Sequence, residues 1–314
     1  MIQRKKVAIS IGDLQGIGIQ LALENHAYIQ SIVDPIYCID NQMLTRASDK
    51  LNIPIPQDFK SLPYIAPIFD IQAGAVTQES GRYAYASFVK AVELAKEHQV
   101  EAICTLPIHK KAWELAGVSY KGHTDALRDF FDAKAIMMLG CPQMYVALFT
   151  EHIPLREVAN KIEPIALREF LLDFHAQVTP DNTVAVLGLN PHAGDAGVLG
   201  TEEREIQQAI DQANRILSTP YPAYSNPIVP DVAFTPNHRK KYQYFIAMYH
   251  DQGLAALKAL YFDEGINVSL NLPILRTSVD HGTAFDIAYQ GKKLNALSYL
   301  NAIRYIQKEN TPST

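Results

Sequence analysis

The sequence predicts an α/β protein of two lobes, and three observations carry that expectation. Apolar runs of strand length alternate with stretches of helical spacing along the whole chain. A chain of 314 residues with 48% hydrophobic content is long enough to bury more than one core. Three histidines, His152, His192 and His250, each stand where an apolar run gives way to a polar loop. That is where parallel-sheet proteins gather their ligand groups.

Taken in order, Val7 to Ile11 is a short strand, and Gly12, Gly16 and Gly18 punctuate the turn into an amphipathic stretch, Ile19 to Ile32. A second helix runs from about Arg82 to His98, with Tyr85, Phe88, Val89, Val92 and Ala95 on one buried face. Strands follow at Ala102 to Leu106, Ala135 to Leu139, Tyr145 to Thr150, Val184 to Leu189, Phe245 to Tyr249 and Ile266 to Asn271. Helices fall near Leu167 to Gln177, Glu202 to Leu217 and Gln252 to Leu260, and the chain closes with helices at Thr283 to Tyr289 and Ala296 to Lys308. The Pro-rich stretch Thr219 to Pro236 reads as an ordered surface loop, because Pro fixes φ and Tyr221, Tyr224 and Phe234 can anchor it. The expected division is an outer domain of residues 1–125 with 280–314 and a central domain of residues 126–279.

Charge and composition exclude several classes. The net charge of -5, with no long basic run, argues against nucleic acid as a partner. The strand-like run after the basic start is too short for a secretory signal, and no stretch approaches the roughly 20 apolar residues of a membrane span. Cys38, Cys104 and Cys141 are odd in number and set in apolar surroundings, so they read as buried free thiols of a reducing cytoplasm, with no thiol nucleophile.

The chemistry-bearing residues gather after the strands. Leu106-Pro107-Ile108-His109-Lys110 and Gly122-His123-Thr124 place basic and hydroxyl groups beside small or rigid residues. Asn190 to Asp195 follows the Val184 strand, and Thr201-Glu202-Glu203 opens the next helix with a Thr cap and first-turn acids. His250 heads its loop, with Lys258 about two helical turns on. Asn267, Arg276 and the run Ser278 to Ala284 complete the set. Any one of these alone is an ordinary cap or loop residue, and the wide histidine spacing matches no compact zinc pattern. Three neutral imidazoles meeting at one point would hold a divalent metal and leave a position open to substrate.

Gly122 to Thr124, Thr150 to Val158, Gly188 to Gly194 with Leu199 to Glu203, Ala247 to Leu254 with Lys258, and Gly265 to Ala284 resemble the signature blocks of the 4-hydroxythreonine-4-phosphate dehydrogenase family. The resemblance implies an isocitrate/isopropylmalate dehydrogenase-like fold and a homodimer with shared active sites in an interdomain cleft. It also implies a step of pyridoxal phosphate synthesis in the cytoplasm. The outer domain would then be the cofactor side, and the central one would carry the metal ligands and the dimer interface. His152, His192 and His250 match the family's metal ligands, with His250 expected from the opposite subunit. His123, Thr124, Lys258, Asn267 and Arg276 match its contacts to a phosphorylated hydroxy-amino-acid substrate. His281, Gly282, Thr283 and Asp286 resemble an adenosine-binding turn, whose carboxylate would hold the ribose diol of NAD and repel the 2′-phosphate of NADP. The metal is expected to be zinc foremost, with cobalt, magnesium or another divalent ion as alternatives. The implied reaction is NAD-dependent oxidation and decarboxylation of 4-phosphooxy-L-threonine to 3-amino-2-oxopropyl phosphate and carbon dioxide. Lys110, His109 and Asp280 are the candidates for the general base.

The chain departs from the family pattern at Leu14, Ile19, Gln20 and Leu106. Gln20, where the family carries Glu, keeps open a related dehydrogenase acting on other phosphorylated hydroxy acids such as erythronate or threonate phosphates. A phosphate acyltransferase of related fold, with neither metal nor NAD, is a further alternative, as is a silent binding protein, against which the presence of all three histidines speaks.

Overall fold

The computed structural model describes residues 4–308, so the ends of the expected outer domain, 1–3 and 309–314, lie outside the described residues. Two compact units emerge. One comprises the chain up to Ala133 with Ile266–Val268 and the residues from Leu272 onward, and the other comprises Lys134–Gly265 with Ser269–Asn271.

The first unit opens with β1 (Lys6–Ser10), α1 (Gly18–Ile32), β2 (Asp34–Cys38) and α2 (Asn41–Leu51), followed by α3 (Gln78–Lys96), β3 (Ala102–Thr105), α4 (Lys110–Leu115) and α5 (His123–Phe131). The second runs through β4 (Ile136–Cys141), β5 (Met144–Leu148), α6 (Leu155–Val158), α7 (Pro164–Val178), β6 (Ala185–Val186), α8 (Glu202–Leu217), α9 (Pro236–Lys241), β7 (Tyr244–Ala247) and α10 (His250–Tyr261). β8 (Ile266–Leu270) is divided between the units, and β9 (Leu275–Val279) and α11 (Leu297–Lys308) complete the first.

In the first unit the strands run parallel in the order β2-β1-β3-β9, with Val7 opposite Ala102 and Ile103 opposite Arg276. Parallel strands are covered on both faces, which is why β1 and β3 are continuous apolar runs rather than alternating ones. The Ser87 hydroxyl of α3 ties the layer together: it donates to the Cys38 carbonyl at 2.7 Å and accepts from the Ile11 N–H at 2.9 Å. Gly12 takes φ +71 where the chain leaves β1, and a Cβ there would strike the Pro107 carbonyl, so the turn admits only glycine. In the second unit β4 and β5 form an antiparallel hairpin, and β5, β7 and β6 are parallel. Val146, Leu148, Ala185, Phe245, Ala247, Leu254 and Leu257 fill its core.

The fold class is the expected α/β, and several elements differ from expectation. The helix expected over Thr283 to Tyr289 is a series of turns, because Ala284 and Tyr289 adopt φ +46 and +60, outside the helical region. β6 is only two residues long. Its flanks, Val184 and Leu187, instead make single bridges to Tyr224 and Ile228, so the Pro-rich loop lies along this edge. α3 begins at Gln78, where Thr77 accepts from the Ser80 N–H at 3.2 Å as a cap. Thr201 occupies the cap position of α8, but its side chain makes no capping bond. β2 escapes a pattern reading because Pro35 interrupts it, and the sheet tolerates that proline because β2 is its edge. Among the described residues, no helix is long and apolar enough to cross a membrane. The three cysteines are buried and unpaired, and burial raises the Cys104 thiol to about 12.

Candidate active site

The first unit contains a buried cation. Arg276 lies on β9 at 2% exposure, and its guanidinium donates to the Thr105 hydroxyl at 2.7 Å and to the Asn267 side-chain carbonyl at 3.3 Å. Burial lowers it to about 10, which leaves it charged at neutral pH. His123 and Thr124 open α5 and are both buried. The His123 ring meets Phe88 edge-on at 4.8 Å and Trp113 at 5.3 Å, and its Nε2 is buried with no hydrogen-bond partner. Burial, and then the Arg276 charge, hold His123 well below its ordinary value, so the imidazole is neutral. A buried charge retained beside an orphaned polar atom is costly for a core and useful to an anionic ligand.

The remaining first-unit candidates lie on turns. His109 is half-buried, caps α4 by position and stacks on Phe285 at 5.0 Å and 15°, with its Nδ1 buried and unpaired. Lys110 is exposed, and the Asp280 N–H donates to Ser298 at 3.0 Å. The Thr283 carbonyl accepts from the Ile17 N–H at 3.1 Å, which fixes the 281–286 turn against the start of α1. His281 Nδ1 pairs with the Gly282 carbonyl at 3.0 Å, Gly282 faces open space and the Asp286 side chain is exposed. Sequence reading passed over Asp13. It is fully buried, accepts from the Gln15 N–H at 3.0 Å and the Ser80 hydroxyl at 3.2 Å, and is raised to about 6 mainly by burial.

The second unit presents the three histidines differently. His152 and His192 are exposed and His250 is half-buried at the start of α10. The His152 and His250 rings lie side by side, with centroids 5.5 Å apart, a spacing that two imidazoles on one ion can adopt. The carboxylate of Asp251 pairs with His250 Nδ1 at 2.6 Å, so Nε2 is the ring atom that could hold a metal. His192 does not join them: among the described residues, no group of three His, Cys, Asp or Glu side chains is placed to hold a metal. His152 and His250 are therefore the two imidazoles that could hold a metal together. Lys258 lies on the same helix as His250, with its ammonium 5.7 Å from the Phe262 ring centroid.

His192 sits on an unusual turn. Residues 192–196 have φ of 55, 50, 78, 44 and 56, all in the left-handed region, and only Gly194 is a glycine. Each non-glycine residue there costs on the order of 1 kcal/mol. The Glu203 carboxylate opposes that cost: Oε1 accepts from the Leu189 N–H at 2.9 Å and the Asn190 N–H at 2.7 Å, and Oε2 accepts from the Asn190 amide at 3.0 Å. A Cβ on Gly194 would lie 2.6 Å from Glu203 Oε2, so the turn closes tightly on the carboxylate.

Residues 31–306 match the family described as "Pyridoxal phosphate biosynthetic protein PdxA". The 4-hydroxythreonine-4-phosphate dehydrogenase of Sulfurimonas denitrificans is 55% identical over 303 residues, covering 96% of this chain and 97% of that protein. The chain belongs to the PdxA family. The enzyme of the same name from Campylobacter fetus is 47% identical over 304 residues, covering 96% of this chain and 97% of that protein. A crystal structure of 4-hydroxythreonine-4-phosphate dehydrogenase from Klebsiella pneumoniae superposes with a TM-score of 0.82 at 29% identity, covering 97% of each chain. As a PdxA family member the protein is an oxidoreductase, and its α/β fold is that of the family. The departures from the PdxA pattern are accommodated by packing. Leu14, Ile19 and Leu106 are fully buried apolar residues, and the Gln20 amide donates to Glu24 at 2.8 Å and to the Lys292 carbonyl at 3.0 Å.

Proposed function

We propose that the protein oxidises and decarboxylates 4-phosphooxy-L-threonine to 3-amino-2-oxopropyl phosphate and carbon dioxide, in an NAD- and metal-dependent step of pyridoxal phosphate synthesis. The observation that carries this reading is the buried, charged Arg276 beside a neutral His123 in a chain of the PdxA family. When bound, NAD supplies a two-electron acceptor and a divalent metal supplies a Lewis acid.

The chain's own residues do the rest. Arg276 provides a permanent positive charge for the phosphate or carboxylate of the substrate, and Thr105 and Asn267 fix the plane of its guanidinium. His123 offers a hydrogen bond without a second charge. Thr124 and Asn267 add polar contacts, and Lys258 adds a point charge. Among the three candidates His109 is the base we favour, since its ring is held on Phe285 of the expected cofactor turn. Asp286 presents an exposed carboxylate suited to a ribose diol, which favours NAD over NADP. His152 and His250 supply two imidazoles to the metal. A second copy of the chain completes that centre, which makes the active enzyme a homodimer. The three buried, unpaired thiols support a reducing, cytoplasmic setting.

The reading is tested by following NADH formation with the phosphate esters of 4-hydroxythreonine, erythronate and threonate, before and after chelation. Turnover of the first ester, lost on chelation and restored by one divalent ion, is the expected result. A preference for either of the other two esters, or full activity in metal-free protein, overturns it.

A further inference from the structure

We infer that Glu203 is a positioning residue for His192, its carboxylate clasping the turn after β6 so that residues 192–196 stay left-handed. The inference rests on the reading of His192 as a metal ligand. An acid in the first turn of a helix ordinarily serves that helix's own N-terminus. Here the two adjacent acids of α8 divide the work. Glu202 accepts from the Thr201 N–H at 3.0 Å, at the helix end itself. Glu203 reaches back to the main chain of Leu189 and Asn190, 14 and 13 residues earlier, with one oxygen bridging two consecutive N–H groups. Asn190 closes the clasp, its amide donating to Glu202 at 2.8 Å and to Glu203 at 3.0 Å.

The turn beyond is wrapped around this carboxylate. Val198 and Leu199 donate back to the Asp195 and Gly194 carbonyls at 3.1 and 3.0 Å, so the left-handed run is closed at its far end as well. His192 therefore sits two residues from Asn190, on a strained backbone held at both ends, and its direction is set by α8 rather than by packing of its own exposed ring.

The test compares E203A and E203Q in metal-free protein. Amide exchange at Leu189 and Asn190 is expected to quicken about tenfold or more in E203A, because both N–H groups lose their acceptor. E203Q keeps an oxygen for both groups and is expected to stay near the parent. Co2+ titration followed by its visible absorption is expected to show about tenfold weaker binding or worse in E203A, with E203Q restoring most of it. Should E203A fail to fold, E203D, too short to reach both N–H groups from the same backbone, is expected to show the same pair of changes at smaller size. Unchanged amide exchange in these variants overturns the clasp. H192A separates the two ideas: if it binds Co2+ as the parent does, the ligand role of His192 fails, while the exchange data still judge the clasp.

Discussion

The Arg276 cluster of the first unit and the histidine loops of the second are built on opposite plans. Arg276, His123, Thr105 and Thr124 come from strands and a helix start and are buried, with the guanidinium held by Thr105 and Asn267. His152 and His192 are exposed on turns, and the Asp251 carboxylate fixes the ring of the half-buried His250. The Arg276 cluster is held in place by its own neighbours, whereas the three histidines are not gathered at one point among the described residues. The first arrangement holds a desolvated charge in the core, and the second leaves its imidazoles at or near the surface.

Breaking the finished side should have the largest effect. Arg276→Met replaces the guanidinium with an apolar chain of similar length, so the fold should hold while kcat/KM for the phosphorylated substrate falls by about 10³ or more, as expected for removing a buried charged contact to a ligand. Thermal unfolding and steady-state kinetics on the same sample check both halves. A variant that unfolds with its activity per folded molecule intact would mark Arg276 as structural. Removing His152, His192 or His250 should abolish metal-dependent turnover with little change in melting temperature, since the first two are exposed and His250 is only half-buried at a helix start.

Two smaller effects sharpen the same contrast through pH. Asp13 is raised to about 6, so below that value the native state binds a proton that the unfolded state, titrating near 3.8, releases. The stabilisation linked to that proton is full below about 4 and lost as the pH rises through 6. Asp13→Asn should therefore raise stability at pH 7.5 by about 3 kcal/mol, with the gain disappearing near pH 4. Urea melts at the two pH values measure it. His123 has the reverse sign: its folded value is depressed below 6.5, so its neutral form stabilises the native state above 6.5 and that contribution fades as acid protonates the unfolded chain. An imidazole NMR signal for His123 that does not titrate near pH 6.5 is the expected observation. The smallest effect is at Asp286, where Asp286→Ala should narrow the preference for NAD over NADP about tenfold. Equal efficiency with both cofactors in the parent protein would remove that residue from the cofactor site.

Much of this was legible in the sequence, for reasons specific to particular segments. Val7 to Ile11 and Ala102 to Leu106 announce themselves because strands covered on both faces must be apolar throughout. The Gly122-His123-Thr124 and His250 segments are legible because each opens a helix directly after a loop. Thr283 to Tyr289 misleads because its composition suits a helix while its backbone turns left-handed at both Ala284 and Tyr289. Glu203 reads locally as a helix-end acid, and its bonds to Leu189 and Asn190 depend on a fold that brings α8 back to the end of β6. Asp13 could have been noticed as a charge set within the apolar and glycine-rich stretch Ile9 to Gly18, yet its burial is a tertiary property.

The central claim is that a second copy of the chain completes the half-built histidine centre, and mixing subunits tests it most directly. The variants His152→Ala, His192→Ala and His250→Ala are each expected to be inactive, and they are then unfolded and refolded together in pairs. Where the two missing ligands belong to opposite contributions, the mixed dimer carries one site lacking both and one site intact, so activity returns. The account predicts recovery in the pairs that join the partner-supplied histidine with either of the others: the His250 variant if the family resemblance sets the division, the His192 variant if the His152–His250 ring pair does. If no pair recovers activity, all three ligands belong to one chain and the shared centre is contradicted.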